Sequence, residues 1–251
     1  MNRDSSRSSF RIAAPTFSPL YRQIKEFMIR SLEAGEWNPG DAIPSEGELA
    51  ARFNVSQGTV RKAIDEMASE NLLTRRQGKG TFVASHDDPR SFYRFLRLVP
   101  DDGVPAHAVS VPLSCSTREA GSEAATALGI AVGEPVIYVE RLLRFNGETV
   151  VFDQIHLVTD LFAGLTLESL SGGDRSLYSL FENDYGVRMI HAEEHLRAVA
   201  ANPYSAGLLG VQSGGPLLLV ERTAYTYGNK PVEWRRGLYC TNRHYYRNDL
   251  G

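Results

Sequence analysis

The stretch from Ser45 to Val83 most constrains the fold, because two helix signals, a short turn and a hairpin signal follow in direct succession. Ser45 is expected to cap the first helix, since Glu48 three residues later completes a capping box. Ser56 is expected to cap the next helix, whose apolar residues over Val60–Met67 recur on one helical face. Only two residues separate the helices, so a tight turn must join them.

A hairpin is predicted directly after the second of these helices. Leu73–Arg76 and Thr81–Val83 are typical of strands, and the turn Gln77-Gly78-Lys79-Gly80 has glycines where a positive φ is needed. Upstream, the apolar residues of Pro19–Ala34 have helical spacing and indicate an amphipathic helix. Three helices and a basic hairpin in this order indicate a winged helix-turn-helix.

The polar face of the third helix suits the major groove of DNA. A helix of this size enters the groove with its N-terminal residues at the base edges, where Gln57 can pair with adenine and Arg61 with guanine or a phosphate. Lys79 at the hairpin tip suits a phosphate or the minor groove. The alternative is a structural three-helix bundle whose polar face is only solvated. On this ground the residues expected to contact DNA are Ser56, Gln57, Gly58, Thr59, Arg61 and Lys79.

The second half of the chain contains an internal duplication. Seven of the fourteen residues at positions 128–141 are identical to those 81 positions later. Each copy is predicted to form a helix and then a hairpin, with the helices at about Arg118–Leu128 and Pro203–Leu209. The hairpins are predicted to turn at Asn146-Gly147 and Gly228-Asn229. Two such units indicate one antiparallel sheet with helices against it, an α+β architecture.

A further helix over Ser176–Asp184 and a strand over Arg188–Ala198 are predicted between the two copies. The polar residues 84–92 have no periodicity and separate the two halves of the chain. The predicted organisation is a flexible tail (1–18), a winged helix-turn-helix DNA-binding domain (19–84), a linker (85–91) and a second, α+β domain (92–251).

Composition excludes several classes of protein. The 251-residue chain is 42% apolar and 23% charged, an ordinary globular balance, and it has no apolar run long enough for a membrane span. Two cysteines, Cys115 and Cys240, provide neither a disulfide framework nor a Cys-based zinc site. The polar N-terminus leads into no apolar signal segment, so we expect a cytoplasmic protein. Residues 1–85 carry a net charge of +2 and the remainder −5, which agrees with DNA binding by the first half.

The first half resembles the DNA-binding domain of GntR-family bacterial transcription regulators. The resemblance is carried by Pro44-Ser45-Glu46, Val55-Ser56-Gln57-Gly58-Thr59-Val60-Arg61 and Gln77-Gly78-Lys79-Gly80-Thr81. The second half, with Ser176-Leu177-Tyr178 and Pro231-Val232-Glu233, is similar to the UTRA effector domain of the HutC-type branch, whose fold is similar to chorismate lyase. The resemblance implies a homodimeric regulator, commonly a repressor, that binds a pseudo-palindromic double-stranded operator and a small-molecule effector. It also implies that Ser45, Gln77 and Gly78 contact the DNA, and that residues 92–251 form the effector-binding and dimerisation domain. It implies no cofactor, metal or membrane.

The sequence departs from the family pattern at two positions. Gly47 stands where the family usually has an arginine between two glutamates, so we expect a missing DNA contact and a different operator preference. Leu143 stands where sugar-phosphate-binding relatives often have the second arginine of an Arg-x-Arg motif, so we expect a smaller or singly charged organic effector. By resemblance, the effector-binding residues are Arg141, Asp153, Ser176, Tyr178, Glu233 and Tyr239.

Two features raise the alternative of an enzyme. The segment from His191 to His195 matches the H-x-x-E-H pattern of a zinc-peptidase class, which requires a helix. On the strand predicted here the two histidines lie about 13 Å apart, too far for one zinc ion. The similarity to chorismate lyase leaves a second alternative, an enzyme domain of that kind fused to a DNA-binding module, although fold does not define function. We therefore expect no catalytic residues and no metal site.

Overall fold

The computed structural model describes residues 18–87, 96–103, 108–172 and 175–248. The predicted tail up to residue 17 and the predicted linker beyond residue 87 lie outside the described residues. Within the described ranges the chain forms seven α-helices and ten β-strands. The helices are α1 (Leu20–Glu33), α2 (Glu46–Phe53), α3 (Gln57–Ser69), α4 (Ser122–Leu128), α5 (Leu167–Ser171), α6 (Leu177–Tyr185) and α7 (Pro203–Leu209). The strands are β1 (Leu73–Arg76), β2 (Gly80–Val83), β3 (Leu98–Pro100), β4 (Ala108–Glu119), β5 (Pro135–Phe145), β6 (Glu148–Val158), β7 (His191–Ala200), β8 (Pro216–Thr226), β9 (Lys230–Tyr239) and β10 (His244–Tyr246).

Three helices and a two-stranded hairpin form the first structural unit, as the sequence predicts. Helices α1, α2 and α3 pack around a common core in which Met28, Leu49 and Met67 are completely buried. Burial of each such side chain contributes about 2 kcal/mol to folding. Strands β1 and β2 pair antiparallel with Leu73 opposite Val83, so that the hairpin closes over the end of α3.

Side-chain caps fix the two helices of the helix-turn-helix. The Oγ of Ser45 accepts a hydrogen bond from the amide of Glu48 at 3.3 Å, and the Glu48 carboxylate accepts one from the amide of Ser45 at 2.8 Å. The Oγ of Ser56 accepts a hydrogen bond from the amide of Thr59 at 3.2 Å. Asn54 ends α2 in the left-handed region with φ 52°, which lets the chain reverse at once. Both predicted caps are confirmed.

A six-stranded antiparallel sheet in the order β4-β5-β6-β9-β8-β7 forms the second unit. The two hairpins of the duplication, β5–β6 and β8–β9, lie side by side, and β6 pairs with β9 at the centre. Helix α6 packs on one face of the sheet, where Phe181 and Ile155 are completely buried. Helices α4 and α7 cover the other face, packing against Trp234 and Phe152 respectively.

The structure corrects the sequence prediction at two element boundaries. The first helix of the duplication begins at Ser122 instead of Arg118, because residues 117–119 extend β4 by pairing with residues 135–137 of β5. The strand predicted to begin at Arg188 begins at His191. Arg188 and the two residues after it are buried, and Ile190 belongs to the core of the first unit. Both differences arise from contacts that are distant in sequence.

The segment from His191 to His195 lies on strand β7, as predicted. The Nε2 atom of His191 lies 2.5 Å from Oδ1 of Asn229, and its ring stacks on Tyr225. In the part of the chain that the structure describes, no group of His, Cys, Asp and Glu side chains is arranged to hold a metal ion. Among the same residues, no helix is long and apolar enough to cross a membrane.

Candidate functional site

The residues predicted to contact DNA lie at three neighbouring places in the first unit. Those at the start of α3 are exposed except for the half-buried Thr59. The hairpin tip is exposed, and Gly78 there has φ 70°, a conformation that glycine adopts readily. A groove separates the tip from the N-terminal end of α2 and brings Ser45 within the same surface. The exposed residues of the predicted set are Ser45, Ser56, Gln57, Gly58, Arg61, Gln77, Gly78 and Lys79.

Arg61 is oriented by a network of ion pairs. Its Nε donates to Oε2 of Glu46 at 2.9 Å, and Nη2 of Arg75 donates to Oε1 of the same carboxylate at 3.2 Å. Arg75 also donates to Asp65 at 2.6 Å. The hydrogen bond from Arg61 lowers the pKa of Glu46, although burial opposes the shift. The network therefore holds two guanidinium groups at the surface predicted to face DNA, where a phosphate could compete for them.

Because Gly47 has no side chain, Gln57 of α3 approaches it closely. A Cβ atom placed at Gly47 would lie 3.2 Å from Nε2 of Gln57. The side-chain amide of Gln57 therefore occupies the region next to the position where the family usually has an arginine.

A cavity of about 120 Å³ lies on the face of the sheet that carries α5 and α6. Its wall combines strand residues from both copies of the duplication with residues of α5, the start of α6 and His86. Four of the predicted effector-binding residues line it, namely Arg141, Ser176, Tyr178 and Tyr239. The remaining polar residues of the wall are His86, Ser110, Ser169, Ser171, Arg175, Arg222 and Arg235.

Asp153 and Glu233, the other two predicted residues, are completely buried behind this wall. Asp153 Oδ2 accepts hydrogen bonds from Arg141 Nε at 2.9 Å and from Arg235 Nη1 at 3.2 Å. Glu233 accepts two hydrogen bonds from Arg235, at 2.9 and 3.1 Å, and one from the Tyr178 hydroxyl at 3.1 Å. The carboxylates thus orient the guanidinium groups and leave them facing the cavity.

Burial shapes the protonation equilibria of the cavity wall. It raises the pKa of Tyr239 to about 12 and raises that of Tyr178, so both hydroxyls stay protonated at neutral pH. Burial and the nearby charge of Arg235 lower the pKa of Arg141. For Arg235, burial opposes the charged form, but Glu233 and Asp153 outweigh it and raise the pKa. Burial therefore disfavours the charged form of Arg141, and an anion beside it would stabilise that form.

The sequence analysis did not identify Arg222 and Arg235 as cavity residues. Arg222 was visible as the counterpart of Arg141 in the duplication, and this was the signal that could have found it. Strand β8 places Arg222 directly opposite Arg235 on β9, and Arg222 donates to Glu194 at 2.7 Å. Arg235 gives no such signal, because its role depends on the register of β6, β8 and β9.

The fold and these two sites define the class of a winged-helix DNA-binding protein with a ligand-binding sheet domain. Residues 20–83 match the family described as bacterial regulatory proteins, gntR family, and residues 107–245 match the UTRA domain. The chain belongs to the GntR family of transcriptional regulators and carries a UTRA effector-binding domain.

Relatives match over almost the whole chain. The HTH-type transcriptional regulator YurK of Bacillus subtilis is 30% identical over 90% of this chain and 93% of its own length. The histidine utilization repressor of Pseudomonas putida is 27% identical over 90% of each chain. Among solved structures, the ligand-binding domain of a GntR-family regulator from Bordetella bronchiseptica is 48% identical, with a TM-score of 0.61, over 63% of this chain and 99% of that one.

Proposed function

We propose that this chain is a homodimeric, cytoplasmic transcriptional repressor whose operator affinity is controlled by a small anion bound in its UTRA cavity. The observation that carries this proposal is the set of four arginines that line the cavity, in a chain that also presents a helix with a polar, exposed N-terminal end. A two-fold dimer would select a pseudo-palindromic operator. The effector would favour one dimer state and so change the spacing of the two winged helices.

On the DNA side, we assign residues 19–84 as the DNA-binding domain, 85–91 as the linker and 92–251 as the effector-binding and dimerisation domain. Gln57 and Arg61 would read base edges, and Ser56, Gly58 and Thr59 would approach the phosphates at the start of the helix. Lys79, Gly78 and Gln77 would contact the DNA through the hairpin tip, and Ser45 through the start of α2. The resemblance to repressors supports repression as the mode of action.

On the effector side, the arginines of the wall favour a carboxylate or phosphate group, and the tyrosine hydroxyls can bond to hydroxyl or amine groups. Relatives are named for histidine utilization and for fructoselysine utilization, which are different substrates. The effector class is therefore inferred from the cavity of this chain. The small volume of the cavity and the apolar side chain of Leu143 in its wall favour a small organic anion over a sugar phosphate.

The operator is tested by selecting duplexes from a random DNA pool with the full-length protein at two salt concentrations. The expected product is a two-fold symmetric site whose affinity falls as salt rises. Binding without sequence preference, or no binding, would contradict the proposed operator recognition.

The effector class is tested by thermal unfolding of the full-length protein with inorganic phosphate, acetate, benzoate and, as a cation control, imidazolium. A ligand of the native state raises the melting temperature. We expect at least one anion to do so in wild-type protein and not in Arg222→Lys, which keeps the charge but loses the guanidinium fork. Stabilisation by the cation alone would contradict an anionic effector.

We also propose that the chain has no enzymatic activity. The family assignment supports a regulator over a chorismate-lyase-like enzyme. Pyruvate release from chorismate by the purified protein, above that of a Tyr178→Phe and Arg235→Lys double variant, would contradict this proposal.

A further inference from the structure

Arg188 joins the sheet domain to the end of the recognition helix. Its Nη2 donates to the carbonyl oxygen of Asn71 at 3.0 Å, and its Nη1 lies 3.3 Å from that of Leu72. Both carbonyls belong to the segment between α3 and the first strand of the hairpin. The Arg188 side chain is 5% exposed, so its position is determined by the protein and not by solvent.

The segment that Arg188 holds is itself tightly formed. Asn71 adopts φ 58°, and the amide of Leu72 donates to the carbonyl of Met67 in α3 at 2.8 Å. The carbonyl of Leu72 also accepts a hydrogen bond from the amide of Ala84, just after β2. A shift of Arg188 would therefore move the end of α3 and the base of the hairpin together.

Glu182 connects Arg188 to helix α6, whose first turn lines the effector cavity. Its Oε2 lies 3.4 Å from Nε of Arg188. Its Oε1 accepts hydrogen bonds from the Ser85 hydroxyl at 2.6 Å and from the amide of His86 at 2.9 Å. The His86 ring lines the cavity and lies 5.5 Å from the ring of Tyr178. One carboxylate thus touches both the cavity wall and the group that holds the recognition helix.

A second contact fastens α6 to the chain that leaves the hairpin. Both carboxylate oxygens of Asp87 accept hydrogen bonds from Nδ2 of Asn183 at 3.1 Å, and Oδ1 also accepts one from Ser179. Apolar contacts add to these bonds, because Ile190 and Tyr227 of the sheet domain pack into the core of the first unit. The first unit therefore meets the sheet domain at α6 and at Arg188.

We propose that Arg188 is a positioning residue for operator binding, which sets the orientation of the recognition helix and is tied through Glu182 to the wall of the effector cavity. The effect expected on DNA binding rests on the proposed function. The geometry itself involves only contacts between the two structural units. Through these contacts, a ligand beside Tyr178 and His86 would affect the orientation of α3 although it does not contact that helix.

The first test is hydrogen–deuterium exchange of the full-length protein. Arg188→Lys keeps a positive charge beside Glu182 but lacks the guanidinium fork, whose two terminal nitrogens bond to the carbonyls of Asn71 and Leu72. We expect the amides of residues 68–73 and 84–87 to exchange about tenfold faster in this variant, while those of α1 are unchanged. Arg243→Lys, at an exposed pair with Glu148, is the matched control and should leave exchange unaltered. Unchanged exchange at 68–73 in Arg188→Lys overturns the proposal.

The tie to the cavity wall is tested with Glu182→Gln and the double variant Glu182→Gln with Arg188→Lys. If Glu182 orients Arg188, the single variant accelerates exchange at 68–73, and the double variant exchanges no faster than Arg188→Lys alone. Additive effects, or no effect of Glu182→Gln at this segment, overturn the link between the cavity and the helix.

The DNA readout separates positioning from a general loss of structure. With duplexes selected by the wild-type protein, Arg188→Lys is expected to prefer the same half-site. The variant should discriminate about threefold less, or less still, against a duplex in which the two half-sites are one base pair further apart. An equal loss of affinity at every spacing overturns a positioning role. If the wild-type protein selects no symmetric duplex, the proposed operator recognition fails, and the exchange experiments still decide whether Arg188 anchors the helix.

Discussion

Arginine–carboxylate pairs occur in two regions of this protein, and the regions differ in their access to water. At the surface proposed to bind DNA, Arg61 pairs with Glu46 while 61% of its side chain is exposed. At the effector cavity, Arg235 is 6% exposed and its partner Asp153 is completely buried. An exposed pair exchanges partners at small cost, whereas breaking a buried pair leaves an uncompensated charge in an apolar environment.

This difference separates two tasks that use the same chemical groups. In the proposed function, the surface network would keep guanidinium groups near the DNA and release them to phosphates or bases. The buried pairs would keep the shape of the cavity constant, so that a ligand would meet preoriented donors. Substitutions in the two regions should therefore affect different measurements.

The largest expected effect is on stability, from Arg235→Ala. The substitution leaves Asp153 and Glu233 buried with one partner fewer, and loss of a buried partner costs about 3–5 kcal/mol. Urea unfolding measures the change, with Arg243→Ala as the exposed control. A loss below about 1 kcal/mol would show that the buried pairs do not support the domain, and the comparison would fail.

The next effect is on DNA binding, from Arg61→Ala. We expect operator affinity to fall about 10- to 100-fold, as for loss of a base or phosphate contact, with unfolding in urea nearly unchanged. Fluorescence anisotropy with a selected duplex measures the affinity. The control is Arg52→Ala on α2, which removes an exposed pair with Glu36 from the turn after α1. Equal affinities for wild type and Arg61→Ala would remove this face of α3 from the interface.

A smaller effect is expected at the hairpin tip. Lys79→Ala should lower the slope of log affinity against log salt by about 1, because one phosphate contact is lost. Affinity at moderate salt should fall only a few-fold. A salt titration of wild type and variant measures the slope, and identical slopes would place the tip away from the phosphates.

The smallest effect is on pH dependence, and its sign should differ between an exposed and a buried carboxylate. Because Arg61 lowers the pKa of Glu46, the ionised Glu46 carboxylate contributes to stability above its ordinary pKa. This contribution is lost as the pH falls below that value. Burial raises the pKa of Glu182, so its ionisation reduces stability as pH rises above about 4.5. Urea unfolding between about pH 3 and pH 7 should show that Glu46→Gln and Glu182→Gln change the dependence of stability on pH in opposite directions, Glu46→Gln below about pH 4.5 and Glu182→Gln above it. Slopes that change in the same direction would contradict the comparison.

The features predicted from sequence are those that depend on residues close together in the chain. The caps at Ser45 and Ser56 and the hairpin at Gln77–Gly80 follow from spacings of a few residues, and the structure has them. The duplication predicted the two hairpins of the sheet, because each copy repeats its own turn signal.

What could not be predicted depends on register and on contacts between units. Asp153 is opposite Arg141 on the neighbouring strand, but its bond to Arg235 requires β6 and β9 to pair in one register. The short pair β3–β10 joins segments more than a hundred residues apart. Arg188 looks like the start of a strand in the sequence, and only the tertiary structure shows that it is buried at the junction with the first unit.

The duplication has a consequence for the origin of the cavity's charge pattern. The cross-strand partner of Arg141 in the first copy is Asp153, and that of Arg222 in the second copy is Arg235. Equivalent places in the two halves thus carry opposite charges, and these two groups bond to each other across the centre of the sheet. Strand residues of both halves line the cavity, as residues of two subunits line a site on a two-fold axis. A ligand there would meet an internal pseudo-dimer, and this exchange of acid for base is one of the differences that break its symmetry.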